Sequence, residues 1–265
     1  MNIFFLSKNP KEAANDMCDQ HIVKMALEST QLMFTCHHIT RDPEDTQWMD
    51  KCEIETGRVP YKPSHQKHGS QLWLHESKAN YMWLAQHAIG ISEEYEKRYQ
   101  KTLQGKVLIH WLAKNPPPNL PNKSMTIPYL AMPEDCKYIY QHEGIAEEPV
   151  ENGLNRTVMS YKLYYLLYKT RFARYFYIDV PMWLESTLVY IQNLSNTKYL
   201  DLIHDEAMRK TIAKKPPKVP KSATKASVKS KRRSSLDKLE DVSLIKDGEE
   251  LPIRFRRLTR SMTSK

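Results

Sequence analysis

The chain has 265 residues, of which 40% are apolar and 10% aromatic, and it carries a formal net charge of +9. That composition indicates a globular protein with a core and excludes a disordered chain. No apolar run approaches the ~20 residues that a membrane-spanning helix needs, and the N-terminal MNIFFLSKNP lacks the basic start and cleavage site of a secretion signal. With seven glycines and few turn signals, the sequence predicts a mainly α-helical bundle in a single domain that ends near residue 205.

The positive charge is concentrated at the C-terminal end. Residues 206–265 contain 18 basic and 7 acidic side chains, whereas residues 1–205 contain 22 basic and 24 acidic ones. The Lys-, Pro- and Ser-rich composition of 206–265 predicts a largely disordered arm that binds DNA phosphates or, in the plainer alternative, only keeps the protein soluble. The DNA contacts expected from it are Lys214, Lys215, Lys231, Arg232 and Arg233.

Cysteine usage and one basic run indicate the cellular compartment. The chain has four cysteines at irregular spacing, which predicts free thiols in a reducing environment. The run KSKRRSS resembles a nuclear-import signal. We therefore expect the cytoplasm, or the nucleus if the host is eukaryotic.

Known cofactor and nucleophile motifs are missing from the sequence. It has no glycine-rich phosphate loop and no nucleophile elbow, which excludes the common kinases and serine hydrolases. Because no paired C-x-x-C motif is present, we expect neither a metal nor another cofactor. The groups that do have metal-ligand spacing are Cys18 with His21, Cys36-His37-His38, and His65 with His68.

The first predicted elements are a short buried strand at residues 3–6 and a long helix from residue 10 to about 38, with a break allowed. Asn9 is expected to cap that helix, with Glu12 reaching back to the cap. The acidic stretch 40–60 is predicted to be a loop or an insertion.

Further helices are predicted at about 70–100, 106–114, 155–177 and 181–204. The proline-rich stretch 115–133 cannot continue a helix and is expected to be extended. The helix at 70–100 is expected to face the core with Leu72, Ala79, Met82, Trp83 and Ile89.

The most informative pattern is CDQHIVKMALESTQ, at residues 18–31. His21, Lys24, Glu28 and Gln31 recur there at helical spacing, which places all four on one face. A lone glutamate on a helix is usually solvated. Flanked by a histidine and a lysine in an otherwise apolar helix, Glu28 is instead a candidate for acid–base catalysis or charge stabilisation.

Two further segments are predicted to contact nucleic acid. YKPSHQKHGSQLW brings basic side chains to a helix N-terminus, where an anion is favoured, although a solvated loop is the alternative. NRTVMSYKLYYLLYKTRFARY interleaves aromatic residues with cations, which suits a phosphate backbone and unstacked bases, although such aromatics also fit a core. Together with Gln31, the candidates are Lys62, His65, Lys67, His68, Lys162, Lys169, Arg171 and Arg174.

At these residues the chain resembles the phage pyrimidine-dimer DNA glycosylases of the endonuclease V type. Asp19-Gln20-His21, followed seven residues later by Glu28, is similar to the N-terminal helix of that family, in which the glutamate is catalytic. The likeness extends to His68 and to SYKLYY at residues 160–165, which is similar to an aromatic segment near the family's C-terminus. Uncharacterised viral and phage proteins share the N-terminal helix and a Trp…Glu-Ser…Asn-Tyr-x-Trp-Leu pattern, here residues 73–84.

The resemblance implies a DNA-repair glycosylase with AP lyase activity that acts, as a monomer, on damaged or modified pyrimidines in double-stranded DNA. In the family, the α-amino group of the N-terminal residue attacks the sugar C1′ and forms a Schiff base, assisted by the glutamate. Residue 2 here is Asn, before which methionine is usually retained, so Met1 would supply the amine, or Lys24 in its place. The implied catalytic residues, which we expect to face one cleft, are Met1, His21, Lys24 and Glu28.

Two other classes of function stay open at this point. The arginines that flank the family's glutamate are replaced here by Leu27 and Gln31, and residues 1–205 are not basic. One alternative is a non-enzymatic DNA-binding protein with a degenerate site. The other is an enzyme on nucleotides or modified bases, which would use the same helix face without opening a sugar.

Deleting residues 206–265 is expected to weaken binding to duplex DNA strongly and to flatten its dependence on salt, because the arm supplies the cations that displace counterions. Residues 1–205, with 22 basic and 24 acidic side chains, offer little to compensate. Binding titrations at several salt concentrations would measure the loss, with circular dichroism as the control for folding. Equal affinity and an equal salt slope in the two proteins would mean that the arm is not the DNA anchor.

Overall fold

The structure, a computed structural model, describes residues 1–137, 150–170 and 172–184. Within them the fold is mainly α-helical, which confirms the predicted fold class, and no β-strand is present. All of these residues belong to one compact unit. The basic arm, most of the helix predicted at 181–204 and Arg171 lie outside the described residues.

Two long helices form the centre of the described residues. In chain order the elements are α1 (Pro10–Asn15), α2 (Asp19–Thr40), α3 (Gln47–Thr56), α4 (Gly69–Glu76), α5 (Lys78–Tyr99), α6 (Lys106–Lys114), a 3₁₀ turn (Glu134–Lys137), α7 (Val150–Tyr164) and a π-helix (Tyr165–Lys169). Helix α5 packs against α1, α2, α4 and α6, and α2 also packs against α4 and α6. Their apolar faces share one large core.

Residues 3–6 are buried, but they do not form the predicted strand. A strand needs a neighbour that accepts its backbone hydrogen bonds. Here the Phe4 N–H donates to the side-chain oxygen of Asn2 at 2.9 Å, and the Leu6 N–H donates to the Phe4 carbonyl at 2.8 Å. Phe4 also has a φ of 45°, which an extended strand does not adopt. The strand prediction is therefore wrong, and the segment is a buried irregular turn.

Asn9 caps α1 as the sequence predicts. Its side-chain oxygen accepts the N–H groups of Lys11 and Glu12, at 2.9 and 3.3 Å. Glu12 does not reach back to the cap residue itself; its carboxylate accepts the Ser7 hydroxyl at 2.8 Å. The same hydroxyl accepts the Asn9 N–H at 3.1 Å, so the serine connects the two residues of the cap.

The predicted long helix breaks between α1 and α2, and Arg98 of α5 holds the break. Its fully buried guanidinium pairs with Asp19 at 3.2 Å and donates to the Met17 carbonyl at 2.7 Å. It also donates to the Asn15 carbonyl at 2.8 Å and to the Glu94 carboxylate at 3.0 Å. One side chain thereby satisfies carbonyls at the end of α1 and fixes the first residue of α2.

The stretch 40–60, predicted to be a loop, contains helix α3. Trp48 and Cys52 lie one turn apart on this helix, and both are buried in the core. The helix ends at Gly57, whose φ of 67° suits a glycine. The loop prediction fails because Trp48 and Cys52 are the only buried residues of this ten-residue helix, so its apolar periodicity is weak.

The helix predicted at 70–100 is divided into α4 and α5. Ser77 has an extended backbone, and its hydroxyl accepts the N–H of Asn80 at 3.0 Å, which caps α5. Trp83 lies in the core as predicted, but Leu72 is 53% exposed, and Ala79, Met82 and Ile89 are only partly buried. The core-facing residues of the two helices recur at helical spacing on a different face from the predicted one, and they include Leu74, Tyr81, Leu84, Ala88 and Ile91.

Helix α6 occupies the predicted residues, and 115–133 has no regular structure, as expected. The helix predicted at 155–177 begins earlier and changes at its end into the π-helix. There the Thr170 N–H donates to the Tyr165 carbonyl, five residues back, at 3.1 Å. The chain then leaves the helix, so Phe172 is 42% exposed, whereas Tyr165 is fully buried.

Replacing Arg98 by Met is expected to lower the free energy of unfolding by about 3–5 kcal/mol, because buried carboxylates would lose their partner. The matched control is Lys11→Met, which removes an ion pair between α1 and α5 whose side chains are 56% and 51% exposed. That variant should cost about 1 kcal/mol or less. Urea unfolding followed by tryptophan fluorescence measures both, and similar losses in the two variants would contradict the role of Arg98.

Candidate functional site

A cavity of about 370 Å³ opens where the N-terminal segment, α2 and the segment after α7 meet. His21, Lys24 and Glu28 of α2 line this one space together with Met1, the first residue of the chain. Its lining consists of Met1, Asn2, Phe4, Gln20, His21, Lys24, Met25, Glu28, Ala131, Tyr164, Lys169 and Phe172.

Glu28 is the best-fixed polar group of the cavity. Its side chain is only 13% exposed, and Oε1 pairs with the Lys24 ammonium at 3.0 Å. Oε2 accepts the backbone N–H of Asn2 at 3.1 Å. Both oxygens are therefore engaged by donors, which suits an ionised carboxylate.

Asn2 attaches the start of the chain to this carboxylate. Its side-chain nitrogen donates to the Ala131 carbonyl at 2.7 Å, and its side-chain oxygen accepts the Phe4 N–H at 2.9 Å. With its own N–H on Glu28, the residue is held at three points. The α-amino group of Met1 is consequently one residue away from the backbone N–H that Glu28 binds, and Met1 lines the same cavity.

Asp19 and Gln20 bind the segment that follows the π-helix. The Asp19 N–H donates to the Arg174 carbonyl at 2.8 Å, and its carboxylate accepts the Phe176 N–H at 2.7 Å. The Gln20 amide donates to the Phe172 carbonyl at 2.8 Å and accepts the Arg174 N–H at 3.0 Å. These two residues therefore fix the wall of the cavity that carries Phe172.

His21 lines the cavity but is buried and neutral. Its Nδ1 shares a hydrogen bond with the Tyr165 hydroxyl, and its ring stacks on Phe4 with centroids 4.2 Å apart. Burial, and then the nearby cations Lys169 and Lys24, lower the pKa of His21 to about 3. At neutral pH the imidazole carries no positive charge, so it can position neighbours or share a hydrogen bond but cannot act as a cationic acid.

Lys169 faces the cavity from the end of the π-helix. Its ammonium lies 4.4 Å from the centre of the Tyr164 ring and 5.7 Å from the centres of the Phe4 and Phe172 rings. Cation–π attraction of this kind holds a lysine head group in place. The structure thus brings one of the predicted DNA-contact residues into the same space as Glu28.

His68 lies next to the site, at the start of α4. Its Nδ1 accepts the Ser70 N–H at 3.1 Å, which caps the helix. The pKa of His68 is lowered by burial first, then by the N-terminal amine and His65, while Glu28 opposes the shift. His68 is therefore close enough to the first amine of the chain and to the carboxylate to be affected by both.

The other predicted contact residues lie outside the cavity. Gln31 is half-buried beyond Glu28 on α2. The Lys162 ammonium lies 5.5 Å from the centre of the Trp183 ring, and burial lowers the pKa of this lysine. Exposed on the loop before α4 are Lys62, His65 and Lys67.

Arg174 lines a neighbouring cavity of about 360 Å³, together with Phe176 and Tyr177. The two cavities share Gln20. The remaining candidates, Arg171, Lys214, Lys215, Lys231, Arg232 and Arg233, lie outside the described residues.

Sequence reasoning missed Asn2, Tyr164 and Phe172 as parts of the site. Nothing local distinguishes Asn2, because its contact with Glu28 depends on a residue 26 positions away. Phe172 fits a helical stripe typical of a core, but the helical structure ends at Lys169, before Phe172 is reached. The aromatic character of Tyr164 and Phe172 among cations was the one available signal.

The part of the chain that the structure describes has no group of three His, Cys, Asp or Glu side chains placed to hold a metal ion, and all four cysteines are buried free thiols. None of its helices combines the length and the apolar character that a membrane span requires. The chain matches no protein-family model, no curated protein and no solved structure.

The imidazole of His21 is expected not to titrate between pH 8 and pH 5, because its pKa in the folded protein is about 3. Proton NMR of the ring C–H signals measures this directly. The matched control is the urea-unfolded chain, in which the same ring should titrate near the usual value of about 6.5. Below that pH, unfolding takes up a proton here and stability falls by up to about 1.4 kcal/mol per pH unit. A folded-state midpoint near that usual value would show that the ring is not buried as described.

Proposed function

We propose that the protein is a DNA-repair glycosylase with AP lyase activity, which acts on damaged or modified pyrimidines in double-stranded DNA. The observation that carries the proposal is the hydrogen bond from the Asn2 N–H to Glu28, at 3.1 Å. It holds the residue next to Met1 on the carboxylate, and Met1 and Glu28 line the same cavity, which is open to solvent. An amine and a carboxylate so arranged can form and process a Schiff base with a sugar.

The contacts of each amine in the cavity indicate which of them can act as the nucleophile. The Lys24 ammonium is paired with Glu28 at 3.0 Å. The Lys169 ammonium lies over the Tyr164 ring at 4.4 Å. Both contacts engage the charged form, which has no electron pair with which to attack carbon. The α-amine of Met1 is therefore the proposed nucleophile, which agrees with the sequence-based expectation that methionine is retained before Asn2.

In the proposed reaction the neutral amine of Met1 attacks C1′ of the deoxyribose. The bond between C1′ and the base breaks, and the base leaves with the bonding pair and takes a proton from water. Glu28 accepts the proton that the attached amine releases and returns it to O4′ when the C1′–O4′ bond opens, which leaves a protonated imine at C1′. Water then takes a proton from C2′, the electron pair left behind forms the C2′=C3′ double bond, and the C3′–O bond breaks, so that the 3′ phosphate leaves and the strand is cut.

The shape of the site supports a nucleotide as the reacting unit. A cavity of about 370 Å³ is in the range of small-molecule sites. Phe172, 42% exposed at its edge, offers a ring face to a base or a sugar. A duplex would have to be distorted to present that unit, which costs least at a damaged base.

Glu28→Gln is expected to slow strand cleavage at an abasic site by about 100- to 10,000-fold, because the amide cannot accept and return the proton. Gel assays of single-turnover cleavage on a duplex with one abasic site measure the rate. The matched control is Glu93→Gln, which changes a carboxylate on α5 that is 51% exposed and pairs with Lys11. That variant should cleave as the unchanged protein does.

Borohydride trapping separates the proposal from its alternatives. A covalent adduct with damaged DNA indicates Schiff-base chemistry. Tight binding without an adduct would favour a non-enzymatic DNA-binding protein. Turnover of free nucleotides or modified bases without an adduct would favour an enzyme that reuses the Glu28 face differently.

A further inference from the structure

The cavity contains a cation that the proposed Schiff-base chemistry does not use. Lys169 lines it, and no carboxylate among the described residues lies within 4.0 Å of its ammonium. Lys24, in contrast, is neutralised by Glu28 in the same cavity. A cation that is partly enclosed, and not paired by the protein, is available to an anionic ligand.

Aromatic rings hold the Lys169 ammonium in place, and its N–H donors stay available for hydrogen bonds. Only the Tyr164 ring is close, at 4.4 Å, while Phe4 and Phe172 are 5.7 Å away. An ammonium has three donors, so at least two can point to a ligand. Pre-positioning also lowers the entropy cost of ordering a long side chain on binding.

The charge balance of the cavity indicates a ligand with negative charge. Its lining residues carry three amino groups, those of Met1, Lys24 and Lys169, against a single carboxylate, Glu28. This excess of cations occurs although residues 1–205 as a whole contain 24 acidic and 22 basic side chains. The cavity is therefore more positive than the part of the chain that builds it.

We infer that Lys169 is the anchor of a phosphate subsite, which takes the phosphate attached to the nucleoside in the cavity. This inference rests on the proposed function only in taking this cavity as the place where the nucleoside binds. The attraction of Lys169 for a phosphate does not depend on the proposed reaction. A phosphate offers several acceptor oxygens to a lysine and to the donors around it. The ring of Phe172, exposed beside Lys169, then faces the nucleoside that the phosphate carries.

Calorimetric titration of the full chain with thymidine and with its 5′- and 3′-monophosphates tests the subsite. Either or both monophosphates should bind at least about tenfold more tightly than thymidine, which corresponds to about 1.4 kcal/mol. The preference should shrink as salt is added. Equal affinity for the nucleoside and both monophosphates in the unchanged protein would overturn the inference without any variant.

Lys169→Gln should abolish the preference for the phosphate, and Lys169→Arg should keep most of it. The matched control is Lys123→Gln, which removes an exposed lysine that does not line the cavity and should leave the preference unchanged. Thermal melting shows whether each variant is folded. A preference that survives in folded Lys169→Gln, or is lost equally in Lys123→Gln, would overturn the assignment to Lys169.

Duplexes identify the source of the phosphate. A duplex with an abasic-site analogue is compared with one whose neighbouring phosphodiester is an uncharged methylphosphonate. If the two duplexes differ in affinity and the difference requires Lys169, the ligand is the DNA backbone. If Lys169 affects the affinity for the monophosphates but not for the duplexes, the ligand is a free nucleotide. Because these are binding measurements, the phosphate preference can hold when no borohydride adduct forms. Failure of the phosphate inference can therefore be distinguished from failure of the proposed Schiff-base chemistry.

Discussion

Arg98 and Asp19 form a buried ion pair on which the arrangement of the described chain depends. The two side chains are 0% and 5% exposed, so the pair is hardly screened by solvent. The second carboxylate oxygen of Asp19 accepts the N–H of Phe176, 157 residues along the chain, and its carbonyl accepts the Tyr99 hydroxyl. One residue thereby joins the start of α2, the end of α5 and the segment after the π-helix. The two sides of the cavity meet because of this junction.

The tripeptide Asp19-Gln20-His21, which begins at this junction, has a structural role. Its three side chains bind the segment from Tyr165 to Phe176, so they shape the cavity rather than supply its charge. The proposed reactive groups lie on the other side, where Glu28 holds the start of the chain through Asn2. We propose that the two sides of the cavity have different roles. The wall that carries Lys169 binds the phosphate, and the side that carries Met1 and Glu28 reacts with the sugar.

Local patterns predicted the parts of this structure that depend on local physics. The cap at Asn9, the extent of α6 and the shared face of His21, Lys24 and Glu28 follow from capping rules and from helical period. Long-range contacts were not predictable, because nothing near Asn2 in the sequence marks its bond to Glu28. Nothing near Arg98 in the sequence marks this residue as buried. Its burial follows only from the carbonyls that the break between α1 and α2 leaves without partners.

The central claim is that the first amine of the chain reacts beside Glu28. The most direct measurement is peptide mapping of the borohydride-trapped adduct by mass spectrometry, which identifies the nitrogen bonded to the sugar. We predict a single adduct on the α-amine of Met1. An adduct on Lys24, on Lys169 or on any lysine outside the cavity would contradict the account, as would the absence of any adduct from a folded protein that binds the damaged duplex.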